Sequence, residues 1–130
     1  MAFIVASKKT FTAPVKATLP DDGGRTRTVT FSVVFKALTT TEVDDMYARI
    51  RARSKANESA LAEGRDRVTR SDRELLDEVL AGFGDDIKEE DGTPMAFTPA
   101  NLDRVCSTWG IEQAIAKSFF DHYINAPTKN

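Results

Sequence analysis

The chain has 130 residues, 41% of them hydrophobic and 29% charged, with a formal net charge of −2. That composition suits a globular domain of ordinary size rather than a disordered or fibrous chain, and its slightly acidic total argues against a duplex-binding protein held by phosphate contacts. A single cysteine excludes an internal disulfide framework and fits a reducing cytoplasm, while no apolar run approaches the ~20 residues of a membrane span.

The first ten residues carry an apolar tip, Phe3-Ile4-Val5, followed by Lys8-Lys9. The charges come after the apolar stretch, which is the wrong order for a secretory signal. From Phe11 the sequence alternates. Phe11, Ala13, Val15, Ala17 and Leu19 fall on one face, and Thr12, Pro14, Lys16 and Thr18 on the other. A period of two predicts a half-buried strand. Pro14 cannot donate to a ladder, so this strand belongs at a sheet edge, or Pro14 at a bulge. Pro20 to Gly24 reads as a turn whose glycines can take positive φ. Alternation then resumes with Val29, Phe31, Val33 and Phe35 inward. The two runs, 11–37, predict a β-hairpin with one oily face that must pack on something.

Thr39-x-x-Glu42 is a capping-box pattern, and Val43, Met46, Tyr47 and Ile50 follow at helical spacing, giving a face suited to covering the hairpin. Residues 51–70 are charged, with Leu61 and Val68 the only large apolar side chains. They fit either a solvated helical extension or a mobile connection. Ser71-x-x-Glu74 repeats the capping logic, and Leu75, Leu76, Val79, Leu80 and Phe83 predict a second amphipathic helix ending near Gly82 and Gly84. Residues 85–97, with Glu90-Asp91-Gly92-Thr93 at their centre, predict a short second hairpin or an ordered loop. Thr98-Pro99 starts a helix faced by Leu102, Val105, Cys106 and Trp109. A last helix is faced by Ile111, Ala114, Ile115, Ser118, Phe119 and His122, with Phe120 and Tyr123 beside the stripe. The expected architecture is α+β: an N-terminal antiparallel β-hairpin packed against a small helical bundle. It forms a single domain over 1–130, with the hairpin at 11–37, a helix and charged connection at 40–70 and a helical part at 71–125.

Chemistry is sparse. Cys106 and His122 cannot make a zinc site by themselves. The acidic run at 85–91 fails the calcium-loop spacing, because the position five before Gly92 is Ile87. A solvated acidic hairpin is the simpler reading. His122, among aromatic neighbours, reads as a packing or rim residue, and Cys106 as a small buried apolar side chain. The glycine pair at 23–24 lacks the Lys-Ser/Thr of a phosphate loop. The basic 49–73 stretch lacks the interleaved aromatics of single-strand binding. No catalytic residue, cofactor, metal, nucleic acid or membrane partner is therefore expected. What remains is aromatic surface. Phe83, Phe97, Trp109, Phe119, Phe120 and Tyr123 are candidate partner-binding residues, although hydrophobes at helical spacing are more often core. Phe120 and Tyr123 are the members expected to be most exposed. Exposed aromatics beside an acidic rim suit a protein–protein contact.

The order of these features resembles the tail assembly chaperones of long-tailed bacteriophages and prophages. Phe11, Pro14-Val15, Leu19-Pro20, Gly23, Phe31, Phe35-Lys36 and Thr41-Glu42 resemble that family's strand-turn-strand-helix opening. The stretch LLDEVLAGFGDDIKEEDGTPMAFTPANLDRV resembles its second block, with Phe83 where tryptophan is usual, then an Asp-Gly turn, Pro94-x-x-Phe97-Thr98 and a helix. The resemblance implies a non-enzymatic helper of tail morphogenesis in the host bacterial cytoplasm. It would bind the tape measure protein, help recruit tail tube protein subunits, and not be retained in the mature virion. The alternative is a structural tail component, a tail-terminator or connector subunit. Homo-oligomerisation is left open.

Overall fold

The computed structural model describes residues 9–66 and 71–125, without the side chain of Ser71. The apolar tip at Phe3 to Val5, part of the charged connection and the 126–130 tail lie outside the described residues. The contacts group the chain into two compact units. One contains the segments up to residue 37 and from residue 80 onward, and the other contains residues 38–79.

In the first unit, β1 (Thr10–Pro20) and β2 (Thr26–Lys36) form the expected hairpin, closed by a 3-10 turn at Asp22–Gly24. Gly23 and Gly24 take φ of 70° and 75° there, a region open to glycine without penalty. Burial along β1 alternates residue by residue, with Ala13, Val15, Ala17 and Leu19 buried. On β2, Val33 opposite Ala13 and Phe35 opposite Phe11 are fully buried as well.

A third strand, β3 (Leu80–Phe83), adds to the far side of β2, giving the antiparallel order β1-β2-β3. This corrects the reading of Leu80 and Phe83 as helical. The helix before them, α2 (Ser71–Val79), stops at Val79. Leu80-Ala81-Gly82-Phe83 satisfies either period, and Gly82 and Gly84 are poor helix formers. The open edge of β2 decides the matter, because its outward N–H and C=O groups need partners. Val34 pairs with Gly82, and the Gly84 N–H donates to the Ser32 carbonyl at 2.8 Å. A Cβ on Gly84 would lie 2.6 Å from that carbonyl oxygen and 2.8 Å from Ser32 Cβ, so the position admits only glycine without displacement. The Asp86 carboxylate then accepts from Ser32 N–H at 2.8 Å and closes the corner.

Helix α3 (Pro99–Cys106) is capped as expected, with Thr98 Oγ1 accepting from Asn101 N–H at 3.1 Å. Helix α4 (Ile111–Phe119) continues as a π-helical turn, Phe120–Ile124, closed by Asn125 N–H on the Phe120 carbonyl at 2.7 Å. Helix α4 packs on β1, and α3 packs on α4. Its buried Ile111, Ile115 and Phe119 supply the apolar surface that the hairpin requires, with the Phe119 ring edge-on to Phe35 at 5.3 Å.

In the second unit, α1 (Thr40–Ala62) begins at a complete capping box, with Glu42 N–H to Thr39 Oγ1 at 3.2 Å and Thr39 N–H to Glu42 Oε1 at 2.9 Å. Met46 is fully buried. The helix runs on to Ala62, so that part of the charged connection is a helical extension, and the chain turns at Gly64 (φ 75°). Ion pairs join α1 to α2: Arg49 to Glu78, and Arg53 to both Glu74 and Glu78. Arg53 is the partner held away from water, with a side chain 10% exposed.

Candidate partner-binding surface

The structure gathers five of the six candidate aromatics into two groups. Phe119 is fully buried at the centre of the first, against Phe35. It has no surface to offer a partner in this conformation. Phe120 stands edge-on to Phe119 at 5.8 Å, and Tyr123 stacks on Phe11 at 5.0 Å with planes 19° apart. Both are half-buried, contrary to the expectation that they would be the most exposed. The π-helical turn changes the angular position of residues after Phe119, and it brings Tyr123 back over the hairpin.

The second group is Phe83 and Phe97, whose rings meet edge-to-face at 5.0 Å. They mark the two ends of the acidic segment, so their contact closes its base. Phe97 remains 41% exposed. Trp109 is 83% exposed, the largest solvent-facing apolar side chain among the described residues. The sequence had placed it on the apolar face of α3, but α3 ends at Cys106. There Ser107 Oγ donates to the Arg104 carbonyl at 2.6 Å and competes with continuation of the helix. Trp109 therefore sits in the connection to α4 and faces water. Leu61 on α1 is 59% exposed too, within a charged stretch whose pattern marks no apolar face.

Between Phe83 and Phe97 the acidic segment is an ordered hairpin-like loop. Lys88 bridges Pro94, Glu89 N–H donates to the Thr93 carbonyl at 2.8 Å, and Met95 N–H donates to the Ile87 carbonyl at 2.9 Å. Ile87 is buried under it. Three of its carboxylates are already engaged. Asp86 holds Ser32, Asp91 accepts from Thr93 Oγ1 at 2.7 Å, and Glu89 receives both terminal nitrogens of Arg104, at 2.9 and 2.7 Å. The Thr93 hydroxyl and N–H hold the Asp91 carboxyl below its ordinary value of 3.8. The Arg104 hydrogen bonds and charge do the same to Glu89, whose ordinary value is 4.5, and Glu89 raises Arg104 in return. Among the described residues no three His, Cys, Asp or Glu side chains are grouped as metal ligands.

Ser118 and His122 also meet, and their geometry runs against a nucleophile–base pair. Ser118 Oγ lies 2.6 Å from the Pro14 carbonyl and His122 Nδ1 lies 3.0 Å from the Ser118 carbonyl. Carbonyl oxygens only accept, so the hydroxyl donates to Pro14 and Nδ1 carries a proton. A protonated Nδ1 cannot take the serine proton. Ser118 ties α4 to the sheet edge, and His122 holds only to Ser118 one turn earlier.

Among the described residues no helix is long and apolar enough to cross a membrane. No curated protein and no solved structure matches the chain. A family model described as phage tail assembly chaperone matches residues 1–130, the whole sequence, and the chain belongs to that family.

Proposed function

We propose that this protein binds the tape measure protein during tail morphogenesis and helps recruit tail tube subunits, without catalysis. It would act in the host cytoplasm as one domain and be absent from the finished particle. The observation that carries this reading is the exposure of two aromatic side chains, Trp109 and Phe97. A tryptophan 83% in water costs solvation free energy that a partner would recover. Family membership supplies tail proteins as the kind of partner, and Phe97 stands against Phe83 at the base of a loop tied by Arg104 and Asp86.

The test is co-expression with the tape measure gene, followed by pull-down and measurement of soluble tape measure. Wild type is expected to hold the tape measure in solution. Trp109→Ala is expected to lose most of that capture while its folding stability stays within about 0.5 kcal/mol of wild type. Equal capture by the variant would remove Trp109 from the surface, and no capture by wild type would overturn the reading. Stoichiometric copies of the protein in purified virions would instead support a structural tail component.

A further inference from the structure

Two observations fix the direction of the backbone groups along β1. Ser32 N–H donates to Asp86 and its carbonyl accepts from Gly84, so both groups of Ser32 turn away from β1. Its cross-strand partner is Pro14, whose carbonyl turns the opposite way and accepts from Ser118 Oγ. In an antiparallel ladder these directions alternate residue by residue. Lys16 and Thr18 therefore share the direction of Pro14. Their N–H and C=O groups point out of the sheet edge, away from β2.

That edge opens on a groove of about 490 Å³ with β1 on one side and α4 on the other, lined by Lys16, Thr18, Ala114, Lys117, Asp121 and His122. A strand edge facing a helix across a groove is the arrangement in which extended peptides add to a sheet through main-chain hydrogen bonds. Pro14 and Pro20 bracket the open stretch, and neither can donate. They confine pairing to a window of about 20 Å and guard the rest of the edge against uncontrolled association. Charge selects further. Lys117 is paired with Asp121, whereas Lys16 has no ion-pair partner among the described residues.

We infer that this groove accepts an extended segment of a partner polypeptide as a fourth strand beside β1, hydrogen-bonded to Lys16 and Thr18 and carrying a carboxylate opposite Lys16. The site is separate from the Trp109 surface and does not rest on the tape measure reading.

The experiment uses the full chain and a terminally blocked hexapeptide of alternating valine and glutamate, followed by fluorescence polarisation and backbone amide exchange. Saturable binding is expected, with slowed exchange at the Lys16 and Thr18 amides. Methylating alternate peptide nitrogens, or replacing glutamate with lysine, is expected to weaken binding about tenfold or more. Thr18→Pro removes one outward donor, as Pro14 already does naturally, and is expected to weaken binding about tenfold. Lys16→Glu, an exposed change that keeps every backbone group, is expected to reverse the preference in favour of the valine–lysine peptide. The inference is overturned by an absence of saturable binding up to about 1 mM. It is equally overturned by binding indifferent to peptide methylation, or by protection confined to the β3 edge. Trp109→Ala leaves this binding unchanged, so failure of this site and failure of the tape measure reading are separate results.

Discussion

The hairpin at 10–36 and the segment at 80–97 both lie in the first unit and pair with each other, but they are built by different means. In the hairpin each residue declares its own position. From Ala13 to Leu19 an apolar residue at every second place of β1 is buried, and the turn between the strands contains the glycines its geometry uses. In the 80–97 segment, position is imposed from elsewhere. Leu80 to Phe83 become a strand because β2 presents an unpaired edge, and the acidic loop holds its shape through Ser32 on β2 and Arg104 on α3. Local pattern is sufficient where both partners are adjacent in sequence. It fails where the partner is 54 residues away, as Ser32 is from Asp86.

The largest test of this contrast lies where the two regions share a side chain. Phe35 is fully buried, touches Phe11 and Phe119, and pairs with Leu80 across the sheet. Phe35→Ala is expected to cost about 3–5 kcal/mol in denaturant unfolding and to loosen the hairpin and β3 together. Loss of amide protection in the hairpin alone would show that β3 is held by something other than β2. Gly84→Ala comes next, at about 1–3 kcal/mol, because its Cβ meets backbone rather than a side chain that can swing aside. Its effect should appear first as faster exchange at the amides of residues 80–95. A uniform loss across both strands of the hairpin would mean that the two regions unfold as one.

Much of the architecture was therefore legible. The hairpin, its edge proline, the Thr39–Glu42 box, the Thr98 cap and the helical character of 99–106 and 111–119 follow from patterns within a few residues. The candidate surface was less legible, and the reasons are specific. Phe119 and Trp109 both lay on helical stripes, but a stripe says only that a residue would share a face if the helix continued. Helix α3 ends before Trp109 because the Ser107 hydroxyl finds the Arg104 carbonyl, and the stripe is broken there. Phe120 and Tyr123 fell beside their stripe under a period of 3.6, but the π-helical turn changes that period. The groove at Lys16 was invisible because it depends on the direction of backbone groups. Sequence carries that information only through Pro14.

The smallest effect concerns the ties of the acidic loop, and its sign follows from the carboxyl groups. Glu89 and Asp91 titrate below their ordinary values of 4.5 and 3.8 because Arg104 and Thr93 hydrogen-bond to the ionised forms. A group with a depressed folded value stabilises the structure fully above its unfolded value and loses that contribution as pH falls through the folded one. Acidification from above 4.5 to well below 3.8 is therefore expected to loosen the 86–95 loop while the amides of β1 and β2 keep their protection. Exchange rates read across that range would show it. Asp91 is exposed and Glu89 half-buried at the surface, so the effect belongs to the loop rather than to global unfolding. Arg104→Gln should move the Glu89 part of the transition upward toward 4.5 and leave the Asp91 part in place. A loop that kept its amides protected through the whole range would mean that Asp86 and the Phe83–Phe97 contact hold it without help from either carboxylate.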